Sequence, residues 1–226
     1  DWSSDVCSSD LIDGGPNVNS SYNRGMYIQA TAGTISQNVV ENVNIGIQYM
    51  PYAHTVSGLI ENNTVTAGLI GLYHNYQNNG AAPVTWSGNT VYVAPNDRTG
   101  AAADVLGAWT APVIFRGIQV ISMSIQGSGT APTVSFNDNT VDGAFQSGET
   151  YNSTAVEAVR ITTAGSGATI GLDGNTFSNY TLQVNNLTAN TYSFAANTWE
   201  GQDHPLRVGT SGDDMLSGGT PAEILL

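Results

Sequence analysis

Hydrophobic residues recur along most of the chain at positions that predict short strands. One six-residue pattern occurs six times: an apolar residue, two variable residues, Asn, Thr or Val, and a second apolar residue. The copies lie at 35–40, 60–65, 86–91, 136–141, 172–177 and 194–199. Since no segment shows sustained helical periodicity, the pattern predicts an all-β chain.

A second short strand, usually opening with Gly, alternates with the first pattern. It occurs at 25–28, 46–49, 71–74 and 117–120, with looser copies at 158–161, 181–184 and 205–208. The steps from one Asn to the next are 25, 26, 50, 36 and 22 residues, and most leave no room for a helical crossover. We therefore expect a solenoid in which parallel strands stack ~4.8 Å apart.

The second residue of the Gly strand is apolar in every copy, which predicts a buried column. The Asn residues have an architectural interpretation, because Asn tolerates a left-handed corner and stacked amides can bond along the solenoid. Residues 92–112 interrupt the rhythm and are predicted to form a long loop. A second alignment places 113–120 on the Asn-type strand, so the expected coil number is about six to seven.

The two interleaved strands resemble those of right-handed parallel β-helix proteins, the pectate-lyase-like superfamily in its broad sense. The resemblance covers residues 12–208 and implies a right-handed parallel β-helix solenoid. It is specific for the fold and weak for function, because the superfamily contains lyases, hydrolases, epimerases and binding proteins.

Composition narrows the classes of partner. The chain has five Arg, no Lys and 18 acidic residues, for a net charge of −13. Such a chain is repelled by phosphate, which argues against nucleic acid, and no apolar run is long enough for membrane insertion. Residues 1–11 resemble a translated sequencing adapter and are treated as non-native. The rest contains no Cys, so it offers neither disulfides nor thiol chemistry.

The sequence GTSGDDMLS at 209–217 resembles the calcium-binding nonapeptide of RTX hemolysin-type proteins. The resemblance implies that a parallel β-roll begins in 209–226, with Asp214 as a carboxylate ligand of Ca²⁺ and Asp213 as a weaker candidate. The implied turn residues are Gly209, Ser211 and Gly212. Because Pro221 and Glu223 replace the expected Gly and Asp of the next repeat, the site is predicted to be incomplete. The resemblance also implies type I secretion from a Gram-negative bacterium.

A candidate glycan-binding face follows from the alternation of the Gly strand. Enzymes of the resembled superfamily act on polysaccharides in a groove along one sheet, and the residue after each buried one is predicted to point outward. These outward positions are Tyr27, Gln48, Tyr73, Gln119, Arg160, Gln183 and Arg207. Such groups suit stacking on sugar rings and bonding to hydroxyls or carboxylates. The alternative is that exposed strand positions simply favour these residue types.

Candidates for catalysis are weaker: Arg160, Tyr73 and His74. Glu157 and Arg160 are three apart and are expected on opposite faces of their strand, whereas His74 is expected inside. We therefore favour a non-catalytic module of a large secreted RTX-type protein, a surface adhesin or polysaccharide-binding element. The alternatives are a polysaccharide lyase or C5-epimerase, and a purely structural spacer. Coils cut at both ends would expose strand edges, which predicts end-to-end self-association.

Overall fold

The structure is a computed structural model that describes part of the chain in detail. The described residues are 5–14, 23–29, 33–51, 57–75, 83–93, 114–121, 133–143, 155–162, 169–178, 180, 182–186, 191–193, 195–200 and 216–217. Every strand pairing among them is parallel, and the strands form a parallel β-helix, as the sequence predicts. No helix long and apolar enough to cross a membrane occurs among these residues.

One sheet forms a continuous wall of the solenoid, called wall A here. Its eight strands follow the order β1-β4-β6-β8-β11-β14-β17-β19. Their bounds are β1 Asp5–Ser8, β4 Gly33–Ser36, β6 Gly58–Glu61, β8 Val84–Ser87, β11 Thr133–Asn137, β14 Thr169–Asp173, β17 Thr191–Ser193 and β19 Leu216–Ser217. Neighbours in the sheet are far apart in sequence, so each strand belongs to a different coil.

The second sheet contains two further walls that share two long strands, β5 Val39–Tyr49 and β7 Thr64–Asn75. Their first halves join wall B with β2 Leu11–Asp13, β9 Thr90–Val93, β12 Thr140–Asp142, β15 Thr176–Ser178 and β18 Thr198–Glu200. Their second halves join wall C with β3 Arg24–Ile28, β10 Ile114–Ile121, β13 Ala155–Thr162 and β16 Leu182–Asn186. The long strands change walls near Val43, where the register of β5 with β7 shifts.

The interior is filled by columns of like side chains, one column from each wall. Wall C contributes Met26, Ile47, Leu72, Ile118 and Val159, each at most 4% exposed. The first apolar residue of the Asn motif fills wall A and the second fills wall B, in the columns Ile35–Ile60–Trp86–Phe136–Leu172 and Val40–Val65–Val91–Val141–Phe177. The predicted buried column of the Gly strand is therefore confirmed over these coils.

The Asn of each motif forms a hydrogen-bonded ladder between walls A and B. Each Nδ2 donates to the Oδ1 of the Asn in the next coil, through Asn38, Asn63, Asn89, Asn139, Asn175 and Asn197, at 2.9–3.2 Å. Each Oδ1 also accepts the backbone N–H of the preceding rung, and each Nδ2 from Asn63 onward donates to a carbonyl of wall A. The architectural interpretation of these residues is confirmed.

The left-handed corner itself is formed by the residue before each Asn, which corrects the expectation that Asn takes it. The positive φ values belong to Gln37, Asn62, Gly88, Asp138, Gly174 and Ala196, between 54° and 71°. The Asn side chain has to reach the Asn of the neighbouring coil, so the backbone makes its left-handed turn one residue earlier.

The glycines that open the wall C strands lie where two walls come closest. A Cβ added at Gly46 would stand 2.2 Å from Val65 Cγ1 and 2.5 Å from the Gly71 carbonyl oxygen, and Gly25, Gly71 and Gly117 have equivalent contacts. The register of wall C omits this position, since Arg116 pairs with Glu157 and Ile118 with Val159. The pairing keeps its register on both sides of the glycine, but the strict alternation of side chains is interrupted there, because Arg116 is partly exposed whereas Ile118 is fully buried.

Three boundaries differ from the sequence-based expectations. Residues 5–11, within the segment 1–11 treated as non-native, pair with the solenoid: β1 pairs with β4, Leu11 pairs with Val39, and the Asp10 N–H donates to Asn38 Oδ1 at 3.0 Å. The predicted loop 92–112 begins later, because Tyr92 and Val93 end strand β9, and 94–112 lie outside the described residues. Strand β10 lies in wall C, so the alignment of 113–120 with the Asn-type strand is wrong.

Candidate functional site

The outward residues of wall C form one continuous column across five strands. In register, Tyr27 lies beside Gln48, Gln48 beside Tyr73, Tyr73 beside Gln119 and Gln119 beside Arg160. Four strand spacings of ~4.8 Å give the column a length of ~19 Å along the solenoid axis. The side chains predicted from the Gly-strand pattern therefore meet on one wall. We call Tyr27, Tyr73, Arg116, Gln119 and Arg160 the tyrosine–arginine face.

Two residues of the predicted glycan-binding column differ from the prediction: Gln183 is not in register with the column, and Gln48 is in register but buried. A third, Arg207, is not tested. The alignment of Gln183 is wrong by two residues: Arg160 pairs with Asn185, and Val184 takes the place assigned to Leu182. Gln48 is in the column but only 3% exposed, and its Oε1 has no hydrogen-bond partner among the described residues. Alternation fixes the direction of a side chain and not whether its neighbours leave it open. Arg207 lies outside the described residues.

Tyr27 marks the open end of the face and is 45% exposed. The Arg24 guanidinium carbon lies 4.7 Å from the centre of its ring, a cation–π distance. The Tyr27 hydroxyl accepts a hydrogen bond from Gln29 Nε2 at 2.9 Å and lies 3.9 Å from Met50 Sδ. These contacts hold the ring in one orientation while half of it stays open to a ligand.

The other end of the face is a triad of charges. Arg116 Nε lies 3.4 Å and Arg160 Nη1 lies 3.6 Å from the same oxygen, Oε2 of Glu157. Arg116 Nη1 also donates to Gln119 Oε1 at 3.2 Å. The Glu157 side chain is 2% exposed, against 20% for Arg116 and 16% for Arg160.

The triad corrects the expectation that Glu157 and Arg160 point to opposite faces. Strict alternation is interrupted at Ala158, the position equivalent to Gly117, so Glu157 and Arg160 lie on one face although Val159 between them is inside. Glu157 is the member of the triad that alternation alone does not place on this face. A signal for it exists in the sequence: it aligns with Arg24 and Arg116, the residues before Gly in their strands.

Burial and like charge disturb the ionisation of this face. Burial lowers the pKa of Arg116, and the neighbouring Arg160 lowers it further, while Glu157 acts in the opposite direction. Burial raises the pKa of Tyr73, against the effect of Arg116 and Arg24, which lower it. Tyr73 is therefore a neutral hydroxyl at physiological pH, held beside cations.

His74, a weak catalytic candidate, lies inside the solenoid as predicted and is fully buried. Trp86 Nε1 donates to its Nδ1 at 3.4 Å, and the Tyr49 and Trp86 rings pack around it at centroid distances of 6.4 and 6.3 Å. It belongs to the core and has no access to the tyrosine–arginine face. Of the three catalytic candidates, only Tyr73 and Arg160 share a surface.

The predicted calcium-binding residues at 209–214 lie outside the described residues. Strand β19 follows directly, and its Leu216 pairs with Tyr192 of β17, so wall A continues into the predicted RTX segment. Within the described ranges no three His, Cys, Asp or Glu residues are grouped as metal ligands.

Comparison of the chain with protein-family models, curated proteins and solved structures found no match. The chemistry of the tyrosine–arginine face is therefore the basis on which a function is assigned.

Proposed function

We propose that this chain is a non-catalytic β-helix module that binds polysaccharide through its tyrosine–arginine face. The observation that carries the proposal is the register of wall C, which places tyrosine, amide and arginine side chains in one column ~19 Å long. A column of this length can contact several successive sugar rings of an extended chain lying along the solenoid axis.

The chemistry of the face suits a sugar. Tyr27 offers an open aromatic surface for the apolar side of a pyranose ring, and its ring is already held by Arg24, Gln29 and Met50. The fixed ring loses little side-chain entropy when a ligand binds. Gln119 and Tyr73, both half-buried, supply polar groups for sugar hydroxyls.

The test uses two tyrosines with the same exposure on different walls. Tyr27 and Tyr92 are each 45% exposed, but Tyr92 lies on wall B beside Asp142. Retention of the protein on a panel of immobilised neutral and acidic polysaccharides is measured for the parent chain, Tyr27→Ala and Tyr92→Ala. We expect retention on at least one polysaccharide, lost in Tyr27→Ala and kept in Tyr92→Ala. No retention on any polysaccharide, or equal loss in both variants, would reject the proposal.

The same samples test the enzymatic alternative. A lyase acting on uronate chains produces unsaturated sugars that absorb in the ultraviolet, and a C5-epimerase changes the epimer content. Either product, lost in Arg160→Ala, would convert the binding face into an active site. A chain that binds no glycan and tolerates Ala throughout the column would be a structural spacer.

We further propose that the module belongs to a secreted RTX-type protein, with Ca²⁺ bound in 209–214 when the following repeats are present. The support is the nonapeptide sequence, and the continuation of wall A to Leu216–Ser217 is compatible with it. A ligand that binds only the folded chain must raise its melting temperature. In a chain that includes those repeats, we expect Ca²⁺ to raise the melting temperature relative to a chelator and Asp214→Asn to abolish the difference. We also expect the solenoids to associate end to end, which light scattering would detect as a mass above that of the monomer.

A further inference from the structure

Positive charge is concentrated on wall C against the composition of the whole chain. Five Arg and no Lys stand against 18 acidic residues, yet Arg24, Arg116 and Arg160 all lie on strands β3, β10 and β13 of this wall. Arg116 and Arg160 both form their ion pairs with the same carboxylate among the described residues, that of Glu157. These two arginines therefore make a local cationic site on an acidic protein.

The triad is short of negative charge. Both guanidinium groups contact one oxygen of one carboxylate, so two positive charges share a single negative charge. The pKa of Arg116 is lowered by burial and by repulsion from Arg160, which together outweigh the attraction of Glu157. An additional anion at this position would relieve the repulsion between the two arginines.

The remaining donors are arranged to receive such an anion. Arg116 uses Nε toward Glu157 and Nη1 toward Gln119, and Arg160 uses Nη1 toward Glu157. Each guanidinium has five N–H donors in a fixed fork, so both retain donors for an oxyanion. Both side chains keep a fifth of their surface or slightly less open to solvent, and Gln119 and Tyr73 are register neighbours in the column.

We propose that the glycan bound by the tyrosine–arginine face is acidic, and that Arg116 and Arg160 together bind its carboxylate or sulfate group. This inference rests on the proposed glycan-binding function and names the class of ligand. Glu157 is a positioning residue, because it holds both guanidinium groups at one point without being open to the ligand itself. The acidic remainder of the chain opposes binding only weakly, since charges further than ~8 Å are screened at physiological ionic strength.

A purely structural triad is the competing explanation. In that case the arginines only compensate the buried charge of Glu157, and their removal lowers stability without changing which glycan binds. Discrimination between neutral and acidic ligands is therefore the decisive readout, and stability alone is not.

The experiment uses three oligosaccharides with one backbone: a neutral cello-oligosaccharide, its C6-carboxylate and its 6-O-sulfate. Binding to the full chain is measured by calorimetry at two salt concentrations, for the parent, Arg116→Gln, Arg160→Gln and Arg160→Lys. Arg98→Gln removes the same charge from the segment predicted to be a loop and serves as the charge-matched control. Melting temperatures without ligand identify variants that fail to fold.

We expect at least one acidic oligosaccharide to bind ten times more tightly than the neutral one, and the stronger of the two identifies carboxylate or sulfate as the natural group. Arg116→Gln and Arg160→Gln should reduce that preference tenfold or more, Arg160→Lys partly, and Arg98→Gln not at all. Added salt should weaken the acidic ligand alone. Equal binding of neutral and acidic ligands by the parent overturns this inference and leaves glycan binding intact. Binding of none of the three overturns this inference, and glycan binding itself is rejected only when no polysaccharide of the panel retains the chain.

Discussion

Removal of one rung of the asparagine ladder provides a direct test of how the solenoid is held together. Asn89 lies in the middle of the ladder. Its Oδ1 accepts from Asn63 N at 3.1 Å and from Asn63 Nδ2 at 2.9 Å. Its Nδ2 donates to the Ile60 carbonyl at 3.0 Å and to Asn139 Oδ1 at 2.9 Å. Substitution to alanine removes all four bonds in a fully buried place.

The magnitude follows from the groups left behind. In Asn89→Ala, the Asn63 N–H and one Nδ2 hydrogen of Asn63 lose their partners. The Ile60 carbonyl loses one bond but stays within the pairing of β6 with β8, and Asn139 Oδ1 keeps the bond from the backbone N–H of residue 89, which is 3.0 Å long in the parent. Two orphaned groups at about 1–3 kcal/mol each give a loss of about 2–6 kcal/mol in the free energy of unfolding. We expect the lower half, because a water molecule can enter the vacated space and bond to them.

The assay is urea unfolding followed by circular dichroism. Thr90→Ala, the exposed next residue, serves as the control and should change stability by less than about 0.5 kcal/mol. The double variant Asn63→Ala with Asn89→Ala should cost less than the sum of the single variants, because the two residues share bonds. A loss below about 1 kcal/mol in Asn89→Ala would refute the reasoning, since it would mean that the ladder bonds are replaced without cost.

Two further predictions concern close packing and a buried hydroxyl. Gly71→Ala places a Cβ 2.2 Å from Val91 Cγ1 and 2.8 Å from the Gly117 carbonyl, whereas Gly171→Ala meets nothing closer than 3.4 Å; the first should lose at least about 1–3 kcal/mol in urea unfolding and the second almost nothing. The Tyr49 hydroxyl is buried without a hydrogen-bond partner among the described residues, so Tyr49→Phe should melt at an equal or higher temperature; a clear decrease would reveal a partner. Burial raises the pKa of Tyr49 from 10.0 to about 12, so its unfolded form loses the proton first, and stability present below pH 10 is lost toward pH 12. Melting of Tyr49→Phe should depend less on pH across this window.

The fold could be predicted from the sequence because each coil repeats the same constraints. The two apolar residues of each Asn motif fill walls A and B, and the Asn amide lies at the corner between these walls. Each coil therefore needs the same residue types at the same spacing, and this spacing is visible in the sequence. Asp10 occupies the equivalent position one coil before Asn38. Its backbone N–H donates to Asn38 Oδ1 and its carbonyl accepts from Val39 N, so the backbone bonds of the ladder form there without an Asn side chain. The exclusion of residues 1–11 rests on their origin, and origin does not decide whether a segment can pair.

The candidate site was predicted less completely, for two physical reasons. A slip of two residues keeps every side chain on its face, so hydrophobicity alone does not show that Val184, and not Leu182, pairs with Val159, and the placement of Gln183 is wrong. Alternation is also interrupted at Ala158, which brings Glu157 onto the same face as Arg160. Both effects depend on pairing between strands that are distant in sequence, and a local pattern carries no information about it.

The asparagine ladder also makes the length of the chain between rungs nearly irrelevant to the wall. Successive rungs are separated by 22 to 50 residues, yet their amide bonds stay between 2.9 and 3.2 Å. Doubling a flexible connection costs only about 0.6 kcal/mol in closure entropy. Such a solenoid can therefore acquire or lose whole surface loops during evolution, or accept a grafted peptide between rungs, while the neighbouring faces keep their geometry.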